Sequence, residues 1–346
     1  MNRGPDAGRG EVRMKRGFSK PSWISRLTAH IASRLPANRR LRIERDEPGV
    51  GLIAPGREAD ELQNNTAPSS GPSCNQAALS EASPTQAEFE MNPAADRFIM
   101  TPPHIANGIR LFGDDWISDV PGYGIGKIPL FDDHRVHWFE NQAGGLRGKS
   151  ALELGPLEGG HSYMLWRAGA RPIVSIEANA RAFMKCLVVK NALAIEADFM
   201  LGDFSSFVAQ TDRAFDFVLA CGVLYHMLDP ISLLQGCCRI AGQIGLWTHY
   251  FDEHLVPRNP ALAPKFSGLT TNVEHRGREF RLHEHLYAGD LRLPNFCGGT
   301  GTRSFWMEKD DILWLLELNG FRITLGEDNE AHPNGPSLLL FAERRR

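Results

Sequence analysis

No stretch of about 18 consecutive apolar residues occurs in the 346-residue chain, which excludes a helix that crosses a membrane. Six cysteines (Cys74, Cys186, Cys221, Cys237, Cys238 and Cys297) lack both the C-x-x-C spacing of zinc and redox sites and the pattern of a small secreted framework. Free thiols in a reducing, cytoplasmic compartment are the expectation. No H-E-x-x-H motif occurs, and His283-Glu284-His285 supplies only half a metal site, so no metal is expected. No internal repeat stands out. The chain is 42 % hydrophobic, a little poor in apolar residues for a compact fold, as a diluting disordered piece would make it.

Charge locates that piece. Residues 1–45 carry twelve Lys/Arg against three acids, and residues 46–95 carry eight acids against Arg57 alone. Residues 64–73 add a run of Asn, Thr, Ser, Pro and Gly without apolar period. Such a segment buries too little apolar surface to offset its ordering entropy, so 1–95 reads as a disordered, basic-then-acidic extension. Within it, Trp23, Leu27, Ile31 and Leu35 recur every four residues between Ser22 and Pro36. That spacing predicts a short basic amphipathic helix over 22–35, able to lie on an anionic membrane or a partner, or else a marginal solvated tail.

Residues 96–148 form a lead segment, rich in aromatics and glycine, that is expected to pack on the core. From 149 onward strand and helix signals alternate, with strands at 150–154, 172–176, 198–201, 215–220, 244–248, 321–325 and 337–341. Short connections between alternating elements imply a parallel sheet covered on both faces. The expected fold is α/β, a Rossmann-like doubly wound, mostly parallel seven-stranded sheet. About fifty irregular residues, 251–304, interrupt it after the fifth strand and are assigned to acceptor recognition, because long irregular segments in compact domains are usually lids or binding loops.

Ligands of open α/β sheets sit beyond the carboxyl ends of the strands, where the winding reverses. The first such end reads Glu153-Leu154-Gly155-Pro156-Leu157-Glu158-Gly159-Gly160, and the second strand ends in Glu177, where a carboxylate can accept from two ribose hydroxyls. The G-x-G-x-x-G spacing of a nicotinamide site is missing, as is a Y-x-x-x-K pair at the fifth strand, which disfavours an NAD-dependent sugar enzyme. An acid just before the glycines repels a diphosphate and suits the ammonium of an amino-acid moiety.

These residues resemble motif I of the class I S-adenosylmethionine-dependent methyltransferases. Leu201-Gly202-Asp203-Phe204 is similar to that family's adenine-contacting segment, and the run from Phe215 through Cys221-Gly222-Val223-Leu224-Tyr225-His226 to Pro230 is similar to its fourth-strand motif. The resemblance spans about 148–250 and resumes at 305–342. It implies S-adenosyl-L-methionine as cofactor, held by Glu153, Gly155, Gly159, Glu177, Asp203, Phe204, Cys221 and Gly222. The nearest subgroup resembles the tRNA wobble-uridine carboxymethyltransferases.

Local readings compete with these roles. Glu177 can act as an N-terminal acid before Asn179, Asp203 can N-cap the helix that follows, and Asp229-Pro230 reads better as a cap than as a catalytic acid. A hydroxyl acceptor needs a base, and His226, just past the fourth strand, suits that task unless it merely packs. Tyr225 can contact donor or acceptor. His249, in the polar-aromatic cluster ending the fifth strand, is the next candidate.

The leading reading is methyl transfer to a small-molecule, glycan or lipid-linked acceptor. The alternatives are a tRNA-modifying (carboxy)methyltransferase, for which Lys127 or Arg135 would have to supply a donor-pocket cation, and a non-catalytic cofactor-binding scaffold. Nucleic acid is not favoured, because residues 96–346 are net −5 and the insert carries seven Lys/Arg against six acids. Nothing in the sequence sets the oligomeric state.

Overall fold

The computed structural model describes residues 98–287, 299 and 301–345, all within the compact unit Pro84–Arg346. The extension at 1–95 and its helix at 22–35 lie outside the described residues, as do Cys74 and Cys297. The four other cysteines are free. No helix among the described residues is long and apolar enough to cross a membrane.

The chain runs α1 (Ile105–Arg110), α2 (His134–Gln142), β1 (Ala151–Leu154), α3 (Gly160–Arg167), β2 (Ile173–Glu177), α4 (Ala180–Leu193), β3 (Asp198–Leu201) and α5 (Phe204–Gln210). It continues with β4 (Phe215–Cys221), a 3-10 turn (Leu224–His226), α6 (Pro230–Ile240), β5 (Ala241–His249), β6 (Phe266–His275), β7 (Arg278–Leu286), β8 (Arg303–Trp306), α7 (Lys309–Leu318), β9 (Phe321–Asn329) and β10 (Ser337–Arg344). The main sheet has the order β3-β2-β1-β4-β5-β10-β9. Its first five strands are parallel, and β10 pairs antiparallel with β5 and β9. This is the Rossmann-like, mostly parallel seven-stranded sheet that the alternating pattern implies. Its winding reverses between β1 and β4.

Period-two alternation sends neighbouring residues of one strand into opposite layers. Leu152 and Leu154 join Val218, Leu234, Leu315 and Leu316 on one face, whereas Ala151 joins Phe217, Leu165 and Val189 on the other. The lead segment belongs to the second layer through Ile109, Trp116, Val120, Phe131, Val136 and Phe139. Only Phe139 and Val136 of the last four lie on α2, which explains why this segment shows no helical period. Gly245 is where α2 meets the sheet, since a Cβ there would stand 2.9 Å from both Phe139 and Phe217.

The insert corrects the irregular reading of 251–304. It holds a three-stranded antiparallel sheet, β6-β7-β8. Arg276 and Gly277 both have positive φ, 49° and 81°, as a two-residue hairpin turn requires. The strand period is weak because β7 is buried on both faces from Leu282 to His285, with Phe280 and Leu282 in the main core and His283 and His285 on the opposite face.

Candidate active site

The site lies at the carboxyl ends of β1, β4 and β5, where the winding reverses. On the β1 side, Gly155 has φ 66°, and a Cβ would stand 2.8 Å from Val223 Cγ1. Conformation and close approach both require glycine there. Gly159 (φ 80°) is the N-cap of α3, and the turn it makes brings the chain against α4. Gly160 passes beneath the lead segment, where a Cβ would come 2.6 Å from the Leu130 carbonyl oxygen.

Glu177 ends β2 with Oε2 accepting from Leu157 N–H at 3.0 Å and Oε1 accepting from Asn179 N–H at 2.8 Å. Burial raises its pKa despite those amides. Each oxygen retains acceptor capacity. The same amides tie β2 to the glycine loop, so the carboxylate is held in one orientation.

Glu153 is buried in β1, just before the glycine loop. It is 1 % exposed and accepts from Ser162 Oγ and Ser175 Oγ through Oε2, while Oε1 is buried without a hydrogen-bond partner. Burial raises its pKa too. His161 Nδ1 stands 4.0 Å from that Oε1, and His161 Nε2 lies 3.0 Å from Asp133 Oδ2.

Asp203 is the N-cap of α5, with Oδ1 accepting from Ser205 N–H at 2.9 Å and Oδ2 from Ser206 N–H at 3.1 Å. Phe204 is buried beside Gly155, its ring edge 3.9 Å from where a Cβ would be. Asp229 likewise caps α6 through Ser232 N–H, with Pro230 following.

Sequence reasoning missed what the lead segment brings. Asp133, the N-cap of α2, holds Arg135 Nε at 3.0 Å and 3.1 Å from its two oxygens. The Arg135 guanidinium lies 4.5 Å over the Trp247 ring. Burial opposes the charge of Asp133, yet His161 and Arg135 outweigh it and hold the carboxyl well below its usual range. Burial likewise works against Arg135, but Cys221 and Asp133 keep it firmly protonated. Asp133, His161 and Cys221 each place one metal-ligating atom within 4.8 Å of the others. Arg135 spans both Asp133 oxygens, so that carboxylate is already paired with a cation, and burial pushes the Cys221 thiol up to about 12. The signal for these residues is tertiary, since Asp133 and Cys221 are brought together only by folding.

Glu158, inside the glycine loop, is structural. Its carboxylate accepts from Ser118 N–H at 2.7 Å and from Lys185 Nζ at 2.7 Å, pinning the lead segment over the loop.

The β4–β5 side is aromatic, and beyond the Arg135 guanidinium over Trp247 its titratable groups are neutral rings. Gly222 (φ 90°) leaves a space bounded at 4.0 Å by the Trp247 ring and Tyr225 Oη. The Tyr225 ring lies 4.0 Å from that of His226 and 4.6 Å from that of His249. Tyr287 Oη meets His226 Nδ1 and donates to Ser304 Oγ at 3.1 Å. Tyr287 Oη thus links the His226 ring to Ser304. Nδ1 of His249 points at the Gly335 carbonyl, 2.9 Å away. Burial, reinforced by His249 and His285, lowers His226 to about 3. Burial and His332 lower His249 to about 4. Trp306 is sandwiched, stacked on His249 at 5.2 Å and on His285 at 5.3 Å.

Residues 152–246 match the family model described as a methyltransferase domain. The chain carries a methyltransferase domain. The N-terminal domain of EvdMO1, solved with SAH and D-fucose, superposes with a TM-score of 0.53 at 20 % identity, covering 70 % of this chain and 95 % of that one. The same domain solved with SAH alone gives the same values. These likenesses establish the fold. A tRNA U34 carboxymethyltransferase from Methylococcus capsulatus is 33 % identical over 108 residues. The match covers 30 % of this chain and spans only about a third (33 %) of that relative's length. The matched residues run from β1 into β5, take in the glycine loop at the reversal point, and leave β9 and β10 outside.

Proposed function

We propose that this chain is an S-adenosylmethionine-dependent methyltransferase acting on a hydroxyl of a small-molecule, glycan or lipid-linked acceptor, with His226 as the base. The observation that carries the reading is the pairing of Gly155, pressed against Val223, with a Glu177 carboxylate whose oxygens each hold one backbone amide and keep room for another donor. Residues 149–346 form the catalytic domain, residues 96–148 cover it, and the insert 251–304 recognises the acceptor. The free cysteines suit a cytoplasmic setting.

The residues present fit the cofactor. Glu177 accepts from the ribose hydroxyls, Phe204 and Gly155 border the nucleoside, and Gly222 with Cys221 gives room at the end of β4. Glu153 Oε1, a buried acceptor without a partner, is the group left for an ammonium, and a buried charged acceptor without one costs about 1–3 kcal/mol or more. Asp203 contributes by capping α5. S-adenosylmethionine supplies an electrophilic methyl group, and similar folds have been crystallised with SAH.

The chain's own residues orient the acceptor and take its proton. Displacement is in line, so positioning supplies much of the rate. Tyr225, wedged between His226 and His249, forms the floor of the space over Gly222. The acceptor hydroxyl becomes strongly acidic as its oxygen is alkylated, so a weak base suffices, and burial keeps the His226 imidazole neutral at neutral pH. Tyr287 and Ser304 hold Nδ1 so that Nε2 faces its task.

Carboxymethyl transfer is the second reading, favoured by the Methylococcus relative. It needs a cation for the donor's extra carboxylate, and Arg135 already has its charge matched by Asp133. The test is isothermal titration with S-adenosylmethionine, SAH, carboxy-S-adenosylmethionine and NAD in parallel. Binding of the first two, weaker binding of the third and none of NAD is the expected result, and binding of NAD alone overturns the proposal.

A further inference from the structure

The insert contains a cavity of about 320 Å³, at the small end of the roughly 300–1,000 Å³ range of ligand pockets. Its apolar wall is Phe251, Val256, Pro257, Ala263, Phe266 and Leu269. A bulge makes it. The register of β6 against β7 shifts between Phe266 and Thr270, and Gly268, at φ 78°, carries the chain outward. Bulges recur beside active sites because they re-aim a strand without breaking the sheet.

The polar groups in the lining are already engaged. His283 Nε2 lies 3.1 Å from Glu308 Oε1, its Nδ1 lies 3.3 Å from Thr270 Oγ1, and its ring face stacks on Phe251 at 3.5 Å. Glu284 accepts from Arg303 at 2.9 Å. What remains for a ligand is hydrocarbon, and Leu269 stands at the rim 66 % exposed.

The cavity lies beside the acceptor side of the site, across one packed aromatic layer. Val256, Leu262 and Trp306 form one buried cluster against which Phe251, Phe266 and Tyr225 pack. Phe266 lies edge-on to Trp306 at 5.1 Å, and Trp306 lies 5.8 Å from Tyr225. One aromatic layer separates the cavity from the space over Gly222.

We propose that this cavity is a binding site for an apolar group of the acceptor, so that the acceptor is amphipathic, its hydroxyl at His226 and its hydrocarbon end between Phe251 and Leu269. The acceptor role rests on the methyltransferase reading above, whereas the cavity's taste for hydrocarbon does not. The full chain, saturated with SAH, is titrated calorimetrically with hexyl, heptyl and octyl β-D-glucoside below their micelle concentrations. Affinity is expected to rise about fourfold per added methylene, the factor for burying one CH₂. Leu269→Asp at the rim and Ala263→Phe inside the cavity should each weaken octyl glucoside about tenfold or more, with SAH affinity unchanged. Affinity independent of chain length, or both variants binding octyl glucoside as the parent does, overturns the cavity site. Glucoside binding that follows chain length in a protein that binds no SAH keeps the apolar site and sinks the methyltransferase reading instead.

Discussion

The two halves of the site are built from opposite materials. On the β1–β2 side, Glu153, Glu177, Asp133 and Glu158 are buried carboxylates, each fixed by backbone amides, hydroxyls or a cation. On the β4–β5 side, His226, His249, His285 and Trp306 are rings in contact with rings, and burial keeps His226 and His249 neutral. A donor that carries positive charge is favoured by the first half and not by the second. An acceptor that must lose a proton is favoured by the second, where neutral imidazole is available. On the proposed mechanism, charge recognition and proton removal fall on different strands, so each can be broken without the other.

The largest expected effect is on the ring side. His226→Asn should lower turnover by about 10²–10⁴-fold, the usual value of general-base catalysis, read as tritiated methyl incorporated into an extract fraction. SAH affinity should barely move. Because burial takes His226 to about 3, the acid limb of the parent's pH–rate profile should lie near pH 3–4, not near the ordinary histidine value of about 6.5. A limb at neutrality that survives His226→Asn would assign the proton transfer to another group.

On the carboxylate side, Glu177→Ala should weaken S-adenosylmethionine by about 1–3 kcal/mol, the range for a charge-assisted or buried hydrogen bond. The melting temperature should fall only slightly. A protein that melts early but binds the cofactor normally would make Glu177 a brace for the glycine loop and nothing more.

The same contrast reaches stability. His226 and His249 have pKa values lowered in the folded protein to about 3 and about 4. Between those values and about 6.5 the unfolded chain binds protons that the folded chain refuses, so stability falls as pH falls through that window. Each histidine contributes a slope of at most about 1.4 kcal/mol per pH unit. Melting followed from pH 7 to pH 5 should show the decline, and His249→Asn should flatten it. An unchanged slope in that variant would mean that His249 titrates normally when folded.

How much was legible in the sequence also divides along this line. The glycine loop, Glu177 and the caps at Asp203 and Asp229 are local signals, in which a side chain acts on backbone within a few residues or ends a readable strand. Asp133 and His161 gave none, and Arg135 only a guessed cation, because their pairing with one another and with Cys221 exists only once α2 lies on the sheet. The insert's strands were hidden for a related reason. One face of β7 carries Phe280 and Leu282, but the other, equally buried, carries His283 and His285, whose partners are Glu308, Phe251, Phe266 and Trp306, and polar residues satisfied by distant groups blur the alternation. His226 and Tyr225 were found because they follow the end of β4, whereas Tyr287 and Ser304, which orient His226, come from strands that sequence period did not reveal.

The smallest expected effect decides between two roles for one residue. Asp203 faces the site in the family pattern, yet both its oxygens accept from the first turn of α5, and Ser206 Oγ donates to Oδ2 at 2.6 Å as well. Burial alone would raise its pKa, but the hydrogen bonds from Ser206 and Ser205 prevail and lower it. A cap of this kind is worth about 1 kcal/mol, and Asn serves nearly as well as Asp in it. Asp203→Ala should therefore lower the melting temperature by about 2–4 °C, while Asp203→Asn should leave it close to the parent value. If the carboxylate is only a cap, both variants bind S-adenosylmethionine as the parent does. Should Asp203→Asn keep the melting temperature and still lose cofactor affinity, the charge itself serves the donor, and α5 is capped by a residue with two roles.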